Sequence, residues 1–326
     1  VSLDRILKHI NDTSLDPESY WRKADLVSVS MNAPPDPMLP RNDTVLRADV
    51  HSLWFRWFVQ GVCNPLRYVE DDRKTVVDVM ADALPRIHDL YRHEPERDRI
   101  ELATGIAKHV MAEVTRRRGI SRINATAAEK RDLIDNAPGQ PRCWVCGFPF
   151  SRAAIDRFLR KKTGAAISLP KIVDIFRPRG LIERDIRIEV EHIVPVASGG
   201  GGKSNLALSC GWCNKSKGAL TSIYDADASA PLAKFKIGAD EWHELPHPFW
   251  TVRLLAIQAS CQFAGAGGCT ATTKTDELFI APADYRGSPN PSNLHVYCAK
   301  HDPYATDRFF GRSIADQIWK SKKRAS

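Results

Sequence analysis

The sequence predicts an α+β chain: a helical N-terminal domain followed by two smaller units of short strands and helices, each stapled by cysteines. Three observations carry this. Apolar residues recur at three- and four-residue intervals between Val76 and Val114, which is the helical period. Two C-x2-C pairs, Cys143/Cys146 and Cys210/Cys213, flank a β-branched stretch from Ile188 to Val196, where alternation reads as a strand and sends Glu189 and Glu191 to one side. A second donor set, Cys261, Cys269, Cys298 and His301, follows near the C-terminus.

With 326 residues the chain has room for two or three domains with real cores. Lys and Arg outnumber Asp and Glu by 47 to 39, a net charge of +8, which favours a polyanionic partner. No apolar run approaches the ~20 residues that cross a bilayer and no signal peptide opens the chain, so the expectation is a cytoplasmic protein without a membrane partner. Paired C-x2-C motifs in such a chain argue for zinc rather than disulfides.

Taken in order, residues 1–48 form an irregular segment after one short helical opening, because the prolines of Asn32 to Asp43 remove donors and fix φ. Residues 49–135 are a helical domain, with one stripe at Val76, Met80, Leu84, Ile87 and Tyr91 and another at Ile100, Ala103, Ile106, Val110 and Val114. The aromatic cluster Trp54, Phe55, Trp57 and Phe58 is expected in its core, as is Cys63. Arg116, Arg117 and Arg118 before Gly119 read as a helix C-terminus, with phosphate contact as the competing reading. The turn-rich stretch Asn136 to Arg142 is a joint.

Residues 143–220 then form the cysteine-stapled unit, with a basic insertion at 148–188. From Phe148 to Val190 there are ten Lys or Arg against five Asp or Glu. A helix from Ser151 to Lys162 would carry Arg152, Arg157, Arg160, Lys161 and Lys162 toward nucleic acid, the alternative being a solvated face. Residues 220–248 read as loop, Phe249 to Phe263 as helix, and 249–326 as a Cys3His unit with a solvated basic tail at Lys320, Lys322, Lys323 and Arg324.

Cys143, Cys146, Cys210 and Cys213 supply the four thiolates of a tetrahedral structural zinc. Between them Glu191 and His192 stand side by side at a strand end, so the carboxylate can reach a metal while the imidazole faces water. Asn205 and Asn214 converge on them if the zinc pins both arms.

Cys143, Cys146, Glu191, His192, Pro195, Gly199, Gly200, Asn205, Leu206, Cys210, Cys213, Asn214 and Lys217 together resemble the HNH family of ββα-metal (His-Me finger) endonucleases, across about 75 residues, roughly a quarter of the chain. The resemblance implies a treble-clef-like ββα fold that hydrolyses DNA phosphodiester bonds, one nick per site, leaving 5′-phosphate and 3′-hydroxyl ends. It makes His192 the general base, Glu191 and Asn214 the ligands of one catalytic Mg2+ or Mn2+, and Asn205 the residue that holds the His-bearing loop. Lys217, Arg152, Arg157, Arg160 and Lys161 would face the nucleic acid. The chain departs from the family in having Asn at the last position rather than His, which suits a hard, oxygen-preferring ion, and Glu191 where Asp is commoner. RNA stays open as a target, and a homodimer or a partner in phage defence or restriction fits such modules. The competing reading is a catalytically silent zinc-dependent nucleic-acid binding or scaffold protein.

Two motifs mislead. Ala197 to Ser204 satisfies a relaxed phosphate-loop pattern, but no helix of useful length can follow before Cys210. His243 to His247 spells H-E-x-x-H, yet Pro246 and Pro248 forbid the helix that would put both His on one face.

The C-terminal donors repeat the first set. Pro291 to Asp302 aligns without a gap on Lys203 to Asn214, with Asn293, Cys298, His301 and Asp302 at the places of Asn205, Cys210, Cys213 and Asn214. Leu278 and Phe279 are expected where the first copy has Glu191 and His192. Such a unit binds a second structural zinc and cannot cut.

Overall fold

The computed structural model describes residues 3–14, 23–30, 32–35, 38, 42–118, 125–160, 165–193, 205–226 and 234–325. It is a mixture of helices and small two-stranded sheets. The chain separates into two units, Val1–Ala48 and Asp49–Ser326.

The first unit carries α1 (Leu3–Thr13), α2 (Lys23–Ser30) and the start of α3 (Asp43–Val62). It is more helical than its prolines suggest. Leu3, Leu7 and Ile10 form an exposed apolar stripe on α1, and Arg47 donates to the Pro34 carbonyl at 3.0 Å.

In the second unit, the rest of α3, α4 (Leu66–Val69), α5 (Val76–Leu90) and α6 (Glu96–Arg118) make a helical layer. Thr75 starts α5 by donating both its N–H and its hydroxyl to Asp78, which satisfies groups a helix start leaves open. The core holds Val59, Cys63, Tyr68, Val79, Ala83, Ile87, Ala103, Ile106, Ala107, Val110 and Val114. Two expectations are corrected here. The fully buried stripe of α5 runs through Val79, Ala83 and Ile87, with the expected Met80, Leu84 and Tyr91 half-buried against it and only Val76 of the expected set exposed. Trp54, Phe55, Trp57 and Phe58 are exposed, Trp54 at 58% and Trp57 at 59%, because four aromatics in five residues point to several sides of α3 and only the side of Val59 meets the core. Arg118 caps a neighbour rather than its own helix, donating to the carbonyls of Tyr68, Val69 and Asp71. Gly119 lies outside the described residues.

After α7 (Ala127–Asp135), which opens on a Thr126–Glu129 capping box, come α8 (Arg152–Phe158), β1 (Ile172–Asp174) and α9 (Glu183–Ile186). Then β2 (Ile188–His192) pairs antiparallel with β3 (Leu206–Cys210), and α10 (Gly211–Lys217) follows at once. Residues 220–248 are not all loop, for β4 (Phe235–Ile237) and β5 (Asp240–Trp242) form a hairpin that buries Trp242. Next, α11 (Pro248–Gln258) leads to the hairpin of β6 (Leu278–Pro282) and β7 (Leu294–Cys298). Finally β8 (Phe309–Gly311) pairs with β1, and α12 (Arg312–Ala325) closes the chain.

The expected basic tail is thus a helix. Lys322 is buried and donates to the Leu245 carbonyl at 3.1 Å, Lys320 pairs with Asp316 and Trp319 donates to the Ile175 carbonyl. The side chains of Lys323 and Arg324 lie outside the described set. No described helix is long and apolar enough to cross a membrane.

Candidate metal centres and the Glu191 site

Two donor clusters form. The Sγ atoms of Cys143, Cys146, Cys210 and Cys213 all lie within 4.8 Å of one another and all four residues are buried. Distant segments meet here: Gly147 takes φ +71 and an added Cβ there would meet the Asp276 carbonyl at 1.8 Å, so only glycine turns this knuckle. The Trp144 amide donates to the Leu208 carbonyl at 2.9 Å, joining the first knuckle to β3.

The second cluster is Cys261, Cys269, Cys298 and His301. Cys269 and Cys298 Sγ are 3.8 Å apart, and His301 Nδ1 lies 3.5 Å from Cys261 Sγ and 3.4 Å from Cys298 Sγ. A disulfide needs about 2.05 Å, whereas tetrahedral Zn–S and Zn–N bonds near 2.3 and 2.0 Å set ligand separations of about 3.5–3.8 Å. Both donor sets therefore fit zinc.

Charge supports the first site too. Four thiolates around Zn2+ leave two net negative charges, and two buried guanidiniums stand beside them. Arg179 donates to Cys146 Sγ at 3.6 Å and shares the Glu277 carboxylate with Arg177. Burial opposes ionisation of Cys146, but hydrogen bonds from the other three cysteines and the nearby Arg177 charge hold its thiol well below the usual range. Burial pushes the Cys210 and Cys213 thiols well up, so a cation is what allows all four to ionise together.

On the β2–β3 hairpin, Glu189 and Glu191 face α10. Asn214 Nδ2 donates to Glu189 Oε2 at 2.5 Å, and Arg184 donates to Glu189 Oε1 at 3.0 Å. Glu191, 5% exposed, accepts from the Trp144 indole at 3.1 Å, and Lys217 Nζ sits 2.7 Å from its Oε1. The same ammonium donates to the His192 carbonyl at 2.7 Å, so one buried lysine balances the Glu191 carboxylate and binds the backbone of its neighbour. His192 ends β2 opposite Leu206 and is half-buried.

The structure brings Glu191, His192, Asn214 and Lys217 to one hairpin and its following helix, but not in the expected pairing. Asn214 meets Glu189 rather than Glu191. Lys217 is 8% exposed and bound internally, so it does not present its charge to a nucleic acid. Sequence reasoning gave no role to Trp144 or Glu189; the knuckle position of one and the same-face spacing of the other were the available signals. Pro195, Gly199, Gly200 and the GKS stretch lie outside the described residues.

The basic insertion divides. Arg152 and Arg157 are exposed and paired with Asp156 and Glu183 at 3.2 and 2.8 Å, Arg160 is exposed, and Lys161 lies outside the described residues. The helix itself ends at Phe158. From Val173 to Arg177, however, the insertion is interior. The H-E-x-x-H stretch is no zinc site, since His243 neighbours Glu241 and His247 Nδ1 accepts from the Phe249 amide at the start of α11.

The second hairpin repeats the first in strand register. Ile188 pairs with Cys210 and Leu278 with Cys298, while His192 pairs with Leu206 and Pro282 with Leu294. The Trp144-to-Leu208 hydrogen bond recurs from Gln262 to Val296, and the Ile193-to-Asn205 bond from Ala283 to Asn293. This corrects the expected alignment by three residues: Glu191 and His192 correspond to Ala281 and Pro282, not to Leu278 and Phe279. Asn293, at the place of Asn205, bonds Asp284 N and O and the Ser288 carbonyl through its side chain and so holds the loop after β6. Asp302, at the place of Asn214, instead pairs with the fully buried Arg308, which also binds Asp174 and the Ile280 carbonyl.

No protein-family model, curated protein or solved structure matches the chain.

Proposed function

We propose that the chain is an HNH-type endonuclease that nicks DNA, with His192 as general base. The observation that carries this reading is the β2–β3–α10 arrangement, which gathers Glu189, Glu191 and Asn214 on one face with His192 at the strand end, beside the four-cysteine cluster. His192 has an imidazole suited to taking a proton from water near neutral pH. The Glu191 carboxylate, ion-paired through Oε1 to Lys217, and the Asn214 amide oxygen are hard oxygen donors of the kind that Mg2+ and Mn2+ take. Such an ion stabilises charge on the phosphate and on the leaving 3′-oxygen. The two zinc ions hold the hairpins and take no part in the chemistry, and the net charge of +8 favours DNA over neutral substrates.

A second reading has one observation in its favour: Glu191 is tied to Trp144 and Lys217, as in a carboxylate that only holds structure. A silent zinc-dependent DNA-binding protein would look the same there.

Nicking of supercoiled plasmid in Mg2+ or Mn2+ decides. Wild type is expected to nick and His192→Ala to lose at least ~100-fold of the rate, the scale of a lost general base, with zinc content unchanged. Equal rates, or no nicking by either protein with either metal, overturn the enzyme reading.

A further inference from the structure

The contacts around Glu191 point beyond the ligand and the base. Its two oxygens are held from opposite elements. Trp144, inside the first zinc knuckle, donates its indole N–H to Oε2 at 3.1 Å. Lys217, on the last turn of α10, places Nζ 2.7 Å from Oε1 and donates to the His192 carbonyl at 2.7 Å. The ammonium also lies 5.7 Å from the centre of the Trp144 ring, within reach of a cation–π attraction. One lysine thus touches both members of the Glu191–His192 pair, and one tryptophan ties Glu191 to the zinc-bound loop.

The internal repeat provides an independent comparison. The second unit keeps the hairpin register, the knuckle-to-strand hydrogen bond and the four metal donors, so it keeps whatever the fold requires. At the place of Trp144 it has Gln262, at Glu191 Ala281 and at His192 Pro282. Four residues past His301, where Lys217 stands relative to Cys213, it has Ala305. Both holding residues are gone where the carboxylate and the base are gone, and the zinc-supported hairpin stands without them.

We propose that Trp144 and Lys217 are positioning residues that hold the Glu191 carboxylate and the His192 backbone in working geometry, and that Trp144 couples the structural zinc to that carboxylate. The proposal rests on the nuclease reading for its kinetic consequence. Its effect on cation binding does not depend on turnover.

The test uses the full-length zinc-loaded chain, with Lys217→Met and Trp144→Phe, which keep most of the packing and remove the ammonium and the indole N–H. Zinc content and DNA affinity should match wild type within about twofold, while kcat falls about 10–100-fold at little changed KM, the usual scale for partners of a ligand. Calorimetry with Mn2+ alone, without DNA, should show binding weakened about tenfold in Trp144→Phe. If Lys217→Met instead weakens DNA binding, lowers the salt slope by about one unit and leaves kcat intact, Lys217 is a phosphate contact and the proposal fails. Unchanged Mn2+ binding in Trp144→Phe also overturns it. Wild type that binds Mn2+ more tightly than Trp144→Phe but never nicks sinks the nuclease reading and leaves the positioning role standing; wild type that binds no Mn2+ sinks both.

Discussion

Arg308 binds two carboxylates and a backbone carbonyl at once. It is fully buried, pairs bidentately with Asp174 at 2.8 and 2.9 Å, pairs with Asp302, and lies 4.9 and 5.0 Å from the centres of the Phe176 and Phe279 rings. Two buried carboxylates share one guanidinium as their cation, and each accepts a backbone N–H besides. Arg308→Met removes the cation and strands both acids, so a loss of about 3–5 kcal/mol is expected, read by urea unfolding in the presence of zinc. A loss under about 1 kcal/mol would mean that water reaches the carboxylates and that the ion pairs are not what holds β1, β6 and the Cys298 turn together. Lys217 makes the same point from the other direction. As a lysine in a basic chain it reads as a phosphate contact, yet its stem is buried and its charge is spent on Glu191 and a backbone carbonyl.

At the scale of elements, α3 shows how apolar sequence differs from buried sequence. Four aromatics within five residues look like core, but they project from several sides of a helix, and no single neighbouring layer can cover them all. Phe55 rests edge-on against His109 of α6 at 5.0 Å, and it lines with Arg56, Trp57 and Arg117 a cleft of about 1220 Å³. Trp54→Ala and Trp57→Ala should therefore each shift stability by less than about 1 kcal/mol in thermal or urea unfolding. A core tryptophan would cost about 3–5 kcal/mol, and a loss of that size would restore the core assignment. The α5–α6 contact errs the opposite way, since alanines mark the close approach and hydrophobic ranking passes over them.

For the whole second unit, the two donor clusters predict two zinc ions per chain, bound unequally. The four cysteines of the first cluster are wholly inaccessible, whereas Cys269 in the second is half-buried. Chelator should remove zinc in two phases, the faster from the Cys261, Cys269, Cys298 and His301 cluster, followed with a colorimetric zinc indicator. Cys298→Ser should abolish the fast phase and leave one zinc. A single phase, or loss of both ions in that variant, would show that the two sites act as one.

The mixed fold, both sets of metal donors and the place of the first hairpin were legible in the sequence because each depends on local chemistry. A knuckle needs two thiols at fixed spacing, a strand needs alternation, and four soft donors have few other uses. Even the internal repeat could be read from the spacing of Asn293, Cys298, His301 and Asp302. What the sequence could not decide were the partners of charged groups and the coverage of helix faces. Strand pairing, not the count of residues, aligned Glu191 with Ala281. The return of β2 beside the first knuckle brought Trp144 to Glu191 across 47 positions, and the closing turn of α10 buried Lys217 against both. Those are long-range pairings, set by how the whole chain packs, and no local pattern of residues encodes which cation a buried carboxylate will meet.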